Sequence, residues 1–597
     1  DEQCDGLLIH SENFQALNLL KEKYREQVKC VYIDPPYNTA STPILYKNEY
    51  RHSSWAALMW DRLAISRVVM KKNGVKSVAI DDTEMVTLSK ILEDVYPEFR
   101  QSRVTVIHNP KGSITKDFNR VHEYSLFLTK EEDKTAIART LEENKTPRKM
   151  RRWGENSLRT ERRLSFYPIY VKDGKIVRVG EVPPDDFHPT GRNVKQEDGE
   201  IEIWPIDQDG VERRWNFGLD SIHENLQRVT IQEVDNTLDL FLTHELTVPK
   251  TVWNGGEFDA GNYGNTLLIN ILGNKLFDFP KSINLVKRCI YLSTTNDKDS
   301  VVLDYFGGSG TTAHATIELN KEDNGKRKYL LAEMGAHFDN VLKPRTQKIM
   351  YASEWKDGKP TARHTGISHC FKYVRLESYE DTLNNLRLDH NPQRKKAVAA
   401  NPALKEDYML RYLLDVETRG SQSLLNIDAF ADPTAYTLEV KKPGTDEYAT
   451  RAVDLIETFN YLIGLRVLHS SVPQTFQATF KRITDPELPE DQHTKLVVDG
   501  RIRQIEDGPW WFRKVEGWVP KDAANPNNGQ QEKVLVVWRK LTDDIEQDNL
   551  MLDEWFQKNR ISTRDFEFDT IYVNGSNNLP NLKLDDENWK VRLIEEE

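Results

Sequence analysis

Three short apolar runs, each too brief for a helix, set the rhythm of the chain. Val31-Tyr32-Ile33 ends abruptly in Asp34-Pro35-Pro36-Tyr37, and Val301 to Phe306 ends in Gly307-Gly308-Ser309-Gly310-Thr311-Thr312-Ala313. A helix-like stretch to Leu319, a polar loop from Asn320 to Lys328 and a third run, Tyr329 to Ala332, follow, and Glu333 closes the series. The pattern predicts a strand–glycine turn–helix–strand–acid unit, in which a nucleoside ligand lies across the strand ends of an α/β sheet. Ser54 to Arg67 carries Trp55, Leu58, Met59 and Leu63 on roughly one face and predicts an amphipathic helix.

Between about Lys130 and Val252 this alternation stops. Ser165 to Val171, Lys175 to Val179, Ile201 to Ile206 and Arg213 to Phe217 read as short strands. Asp173-Gly174, Pro183-Pro184 and Asp209-Gly210 turns separate them, the pattern of a small β-rich module. Beyond Tyr351 the composition changes again. Helices are expected over Glu377–Leu388, Tyr408–Glu417, Asp454–Leu468 and Asp553–Asn559, with a polar connector over Asn391–Asn401. Strands are expected over Lys533–Arg539 and Thr570–Val573, and an acidic, solvated or partner-facing end from Asp585. Trp510, Trp511 and Trp518 are expected to fill a small core, with contact of Trp511 or Arg513 to DNA or a partner as the alternative.

The first turn suits an exocyclic amine of a base. Such an amine is a poor nucleophile because its lone pair is delocalised into the ring. A carboxylate and a backbone carbonyl that accept its two N–H bonds pull the nitrogen towards sp³ and free that pair. Asp34 supplies the carboxylate, Pro35 a carbonyl on backbone of fixed φ, and Tyr37 a flat face for a base turned out of its duplex. A strand closed by a Pro-Pro turn is the plainer reading. At the second turn the glycines let backbone approach a ligand, and the helix start favours an anionic group. Glu333 stands where it accepts bonds from both hydroxyls of a ribose.

Asp-Pro-Pro-Tyr and Phe-Gly-Gly-Ser-Gly-Thr-Thr together resemble the two diagnostic motifs of the DNA amino-methyltransferases that use S-adenosylmethionine. Their order, catalytic motif first, is similar to that of the circularly permuted beta class, and especially to the modification (Mod) subunits of type III restriction systems. The resemblance covers about residues 1–360. It implies a Rossmann-like α/β methyltransferase sheet, with further strands in Val75–Asp82 and Val104–Thr129. The implied regions are a catalytic half (1–130), a β-rich target-recognition insert (131–250), a cofactor half (251–360) and a C-terminal α+β region (361–597) for DNA or partner contact.

The same resemblance implies site residues. Asp34, Pro35, Pro36 and Tyr37 would be catalytic, with the stretch Asn38–Ser53 folding over the flipped base. S-adenosylmethionine would be held by Asp304, Phe306, Gly307, Gly308, Ser309, Gly310, Thr311 and Glu333, with Lys281 and Ser282 closing over its methionine end. Where many relatives carry Gly-Asp-Asn, this chain has His10-Ser11-Glu12-Asn13. Glu12 or Asn13 would reach the cofactor's adenine, unless Asn13 simply starts a helix. The implied reaction is methylation of adenine N6 in duplex DNA, for restriction-modification or phage defence. Cytosine N4 is the alternative, and Asp at position 34 favours adenine. RNA or a protein amide as substrate shares the logic, and a non-catalytic DNA-specificity subunit remains open as a different class.

Composition narrows the setting. A chain of 597 residues exceeds a single core, and 38% hydrophobic with 29% charged residues marks a globular protein. No apolar run approaches the roughly 20 residues that span a bilayer, and no secretory signal is visible. Cys4, Cys30, Cys289 and Cys370 show neither disulfide nor zinc spacing, so no metal is expected and a reducing cytoplasm fits. The chain starts without Met close to the first motif, as a processed or truncated protein does.

A net charge of −12 argues against DNA only as a mean, because phosphate binding is local. Lys145, Arg148, Lys149, Arg151, Arg152, Arg159, Arg162 and Arg163 fall within nineteen positions, opposed only by Glu155 and Glu161. Arg151, Arg152, Arg159, Arg162 and Arg163 are the expected DNA-binding residues, a solvated charged face being the alternative. Base readers would come from Arg159, Arg192, Asn193, Gln196 or Arg213. Expected partners are double-stranded DNA, a second copy of the chain, and a restriction, helicase or other defence-system subunit, with no membrane.

Overall fold

The computed structural model describes every residue except 1–2, 40–50, 113–117, 134, 388–390, 402–404, 407, 409–415, 417, 419, 425, 443–444, 487–493 and 585–587. It forms two units, Ala138–Lys250 and the remainder of the chain. The stretch expected to fold over a base lies largely outside the described residues, as do most of the Tyr408–Glu417 helix and the start of the acidic end at Asp585.

The larger unit is organised by nine strands: β1 (Gly6–His10), β2 (Val28–Ile33), β3 (Met70–Ile80), β4 (Phe99–Ile107), β5 (His122–Lys130), β6 (Val252–Trp253), β7 (Val301–Asp304), β8 (Lys328–Glu333) and β9 (Phe371–Arg375). They lie in the order β6-β4-β5-β3-β2-β7-β8-β1-β9. Only β5 runs against its neighbours. β9 comes from beyond residue 360, so the sheet continues past the region assigned from the motifs.

Side-chain alternation along the strands divides the core. Leu7, Ile9, Val31, Ile33, Leu303 and Leu330 point to one face, covered by α1 (Asn13–Lys23), α2 (Arg51–Val69) and α3 (Met85–Val95). Leu8, Tyr329 and Leu331 point to the other, against Ala313 and Ile317 of α5 (Thr311–Asp323) and Ile349 of α6 (Lys343–Tyr351). α4 (Ile283–Thr294) packs on the same side as α5. Burial on both faces explains why these strands read as continuous apolar runs. In α2, Trp55, Met59, Leu63 and Ser66 recur at helical spacing and are wholly buried.

Because β1, β2, β7 and β8 are parallel, their carboxyl ends share one edge of the sheet. His10, Asp34, Asp304 and Glu333 stand there. The reversal of β5 brings its start to that edge as well, with Glu123 paired to Val106 near the end of β4.

Beyond β9 the larger unit carries a second sheet, in which Trp510–Pro520 pairs with Gln531–Arg539 and Thr570–Val573 follows in parallel. Trp510 and Trp538 are buried in its cores and Trp511 packs against one of them, so these tryptophans are structural. Three expectations change here. Asn391–Asn401 is a helix, Pro392–Ala400, because Asn391 caps it through the Gln393 and Arg394 N–H groups at 3.0 and 3.2 Å. The Asp454 helix stops at Leu462, where Gly464 (φ 69°) turns the chain into the strand Arg466–Ser470. The last helix runs over Ile545–Lys558, capped by Asp544, which is longer than the apolar pattern suggested.

The smaller unit is built from two antiparallel sheets. One joins Thr140–Lys149, Val229–Val234 and Thr237–Thr247, and its hairpin turns on Asp235 and Asn236, both at positive φ. The other joins Ile169–Lys172, Lys175–Val179, Asn193–Lys195 and Ile201–Ile203. Arg213–Phe217 is not a strand. It contributes isolated bridges, and the Trp215 indole is buried with a bond to the Tyr167 carbonyl at 2.8 Å.

Candidate active site

The turn after β2 is held from both sides. The Trp55 indole donates to the Pro36 carbonyl at 2.8 Å, and Asn38, in the left-handed region at φ 58°, donates to buried Glu84 at 2.6 Å. From this turn Asp34 and Tyr37 project towards Lys281. The Lys281 ammonium lies 3.3 Å from Asp34 Oδ1 and 2.5 Å from Glu123 Oε2, and it also donates to the Tyr37 hydroxyl. That hydroxyl donates onward to Glu123 Oε2 at 3.0 Å, and the ammonium stands 4.5 Å from the Tyr37 ring centre.

Charge follows from this packing. Burial, opposed by Lys281 and reinforced by Glu123, holds the Asp34 carboxyl above its ordinary range. Burial acts the same way on Glu123, but Lys281 and His108 outweigh it and keep that carboxyl low. For Lys281 burial disfavours the charge, and Asp34 with Glu123 more than offsets it. With all three ionised the cluster carries one net negative charge.

The glycine turn after β7 is held by different means. Asp304 accepts the Phe306 N–H at 3.0 Å and the Thr312 hydroxyl at 2.5 Å, and burial still pushes its carboxyl up to about 7. Gly308 (φ 48°) and Gly310 (φ 77°) take backbone conformations that a side chain would strain. A Cβ on Gly310 would sit 3.2 Å from Leu342, whereas at Gly308 the nearest atom is Phe277 at 3.6 Å. Beneath the turn, wholly buried Arg345 donates to the Ser309 hydroxyl at 3.0 Å and the Thr311 hydroxyl at 2.9 Å. Glu333 accepts the Gly308 N–H at 2.8 Å and the Gly335 N–H at 2.7 Å, and His337 lies 3.2 Å away. Burial alone would raise the Glu333 carboxyl, but His337 and these N–H groups hold it low.

Several expected residues have roles the sequence did not foresee. Lys281 stands at Asp34. Ser282 is buried and donates to the Glu257 carbonyl at 2.9 Å. Ser309 and Thr311 are buried under the turn on Arg345, so their hydroxyls face protein. Glu12, not Asn13, caps α1, and Arg62 binds both, Asn13 at 2.9 Å and Glu12 at 2.7 Å. In the smaller unit, Arg151 and Arg159 are corrected from DNA contacts to structural residues. Arg151 is buried against Asp239 at 3.1 Å, and Arg159 against Glu212 at 2.9 Å and over the Phe166 ring. Arg192 and Arg213 are also engaged, with the Ile206 carbonyl and Asp207 at 2.8 Å each. Arg152, Arg162 and Arg163 remain exposed, Arg163 beside Asp185 at 2.8 Å, and Trp153 is 63% exposed beneath Arg213.

Glu123, His337 and Arg345 were not singled out from the sequence. Glu123 had one available signal, a carboxylate on the same face as Ser125, Phe127 and Thr129 at the start of an otherwise buried strand. Among the described residues no group of His, Cys, Asp and Glu is placed to hold a metal ion, and no helix is long and apolar enough to cross a membrane.

This geometry has relatives. The chain is 25% identical over 384 residues to the EcoPI Mod subunit, a type III restriction-modification enzyme of Escherichia phage P1, covering 55% of this chain and 57% of that protein. It is 29% identical over 346 residues to the type II methyltransferase M.KpnI of Klebsiella pneumoniae, covering 54% and 79%. The StyLTI Mod subunit of Salmonella typhimurium is 25% identical over 380 residues, covering 57% and 54%. The chain thus spans little more than half the length of the two Mod subunits. The solved M1.HpyAVI–SAM complex aligns over 57% of this chain and 98% of its own at 12% identity, with a TM-score of 0.28. Residues 28–343, just over half of the chain, match the family described as DNA methylase, and the protein belongs to that family.

Proposed function

We propose that the protein is a site-specific DNA methyltransferase that modifies adenine N6 with a methyl group from S-adenosylmethionine, in restriction-modification. One observation carries this reading. Asp34 and the glycine turn with Glu333 stand at the ends of β2, β7 and β8, three consecutive strands of the sheet. The residues suit the cofactor. Gly308 offers unobstructed backbone, and Glu333 Oε2, which accepts the Gly308 N–H, keeps a second lone pair for a ribose hydroxyl. When bound, the cofactor supplies a methyl group on a positively charged sulfur.

The chain's own residues act on the other reactant. Tyr37 stacks on the flipped base, while Asp34 and the Pro35 carbonyl accept the two amine N–H bonds and turn the lone pair outward. Catalysis is then positioning and electrostatics. Asp at position 34 supports adenine over cytosine. The Mod names of two relatives support a companion restriction subunit as partner. The Ala138–Lys250 unit would supply sequence recognition, with Arg152, Arg162, Arg163 and exposed Trp153 towards phosphates. Tritium transfer from labelled cofactor to duplex DNA, followed by nucleoside analysis, tests the reading. N6-methyldeoxyadenosine is expected. N4-methyldeoxycytidine, or label on protein or RNA only, overturns it.

A further inference from the structure

Lys281 carries three donor hydrogens and faces two carboxylates at different depths. Asp34 is 27% exposed at the mouth of the site, and Glu123 is 2% exposed beneath it. The ammonium sits 0.8 Å closer to the deeper carboxylate, at 2.5 against 3.3 Å. The Tyr37 hydroxyl, which accepts from Lys281, turns its own proton to the same Glu123 oxygen. Glu123 Oε1 is buried with no hydrogen-bond partner among the described residues, a costly placement for an ionised group. Glu123 comes from neither diagnostic turn and reaches the site only because β5 runs in reverse.

We propose that Glu123 is a positioning residue that draws the Lys281 ammonium and the Tyr37 hydroxyl down to itself, so that the Asp34 carboxylate stays available to the target amine. The inference rests on the methyl-transfer reading of Asp34. Without the Glu123 charge, Asp34 is the one carboxylate among the described residues that pairs with Lys281. The 3.3 Å contact then closes to a charge-assisted pair at about 2.7–2.9 Å, and the amine must compete with an ammonium for its acceptor.

The charge environment gives this a pH signature. Lys281, Tyr37, Tyr32 and Asp304 face Asp34, and Lys281, Tyr37, Tyr32, His108 and Cys289 face Glu123. Within this set Glu123 raises the Asp34 carboxyl and Lys281 lowers it. Neutralising Glu123 removes the first influence and frees Lys281 to strengthen the second, so Asp34 ionises at lower pH.

Glu123→Gln, Glu123→Asp and the wild type decide the matter through pH–rate profiles of methyl transfer and crystal structures. E123Q is expected to lower kcat roughly 10- to 100-fold with KM for DNA little changed, and to move the acid limb of the profile to lower pH. E123D, which keeps the charge, is expected to keep the wild-type limb. In E123Q crystals the Lys281–Asp34 contact is expected below about 3 Å. Equal losses in both variants with an unmoved limb would reduce Glu123 to packing and overturn the proposal. A wild type that transfers nothing to DNA would sink the functional reading instead. The Lys281–Asp34 distance still reports on Glu123 in that case, and an unchanged distance in E123Q refutes its role independently.

Discussion

The two turns at the active edge are one strand apart and are built on opposite principles. After β2, ionised side chains from three distant segments (Asp34, Glu123 and Lys281) hold one another, and their protonation states are interdependent. After β7, backbone shape does the work, through two glycines at positive φ, N–H groups on Glu333, and Arg345 gripping two hydroxyls from below. The contrast separates two demands. On the proposed function, a group that must polarise an amine needs a tuned charge, whereas a cradle for a nucleoside needs a fixed contour. Disturbing the first should therefore cost turnover, and disturbing the second should cost affinity.

The sharpest way to break that division is Asp34→Ala. Methyl transfer should fall by about 1,000-fold or more, with the cofactor dissociation constant within about 3-fold of wild type. Tritium transfer and calorimetric titration measure the two, and substantial residual turnover would refute the role of Asp34. Glu333→Ala should show the reverse emphasis. Loss of its charge-assisted bonds, about 1.5–3 kcal/mol, should weaken cofactor binding roughly 10- to 150-fold in the same titration. Unchanged affinity would mean that the cofactor lies elsewhere.

Asp304 belongs to the contour side yet titrates, and this sharpens the comparison. Its carboxyl ionises at about 7 in the folded protein and near 3.8 when unfolded, so between those values the folded state binds the extra proton. Stability contributed by the protonated form is present at acid pH and is lost as pH rises towards 7. Relative to Asp304→Asn, the wild type should lose up to a few kcal/mol of stability between about pH 4 and pH 7, read by thermal unfolding across that range. A flat difference would show that Asp304 is already ionised at low pH. The smallest effect belongs to the smaller unit. Neutralising Arg152, Arg162 and Arg163 together should flatten the salt dependence of DNA binding by roughly one unit of slope per lost phosphate contact, while kcat at saturating DNA stays close to wild type. An unchanged slope would move phosphate contact to another surface.

What the sequence disclosed, and what it withheld, follows the range of the interactions. β2, β7 and β8 were legible because strands buried on both faces are written as apolar runs, and α2 because its buried face repeats at helical spacing. The turns were legible because Pro-Pro and clustered glycines restrict backbone locally. Glu123 was not, since it lies 158 positions from Lys281 and 86 from Tyr37, on a strand whose reversal no local pattern records. Arg151 and Arg159 misled for the same reason. Their partners Asp239 and Glu212 are 88 and 53 positions away, and a guanidinium reads alike in sequence whether it is buried against a carboxylate or open to solvent. The Asp454 segment was overextended because apolar spacing continues through Gly464, where the backbone turns.

The order of strands also has a consequence for the birth of the molecule. Cys30 on β2 pairs with Val302 on β7, about 270 residues later. At synthesis rates of roughly 5–20 residues per second, β2 waits on the order of 15–50 s for this neighbour. Through that interval β2 has β3 on one side and an open edge on the other, apolar except for Lys29, the kind of edge that recruits stray strands. Residues 138–250 emerge within the same interval and form a unit of their own. The yield of folded protein is thus expected to depend on what shields the edge of β2 until Val301 leaves the ribosome.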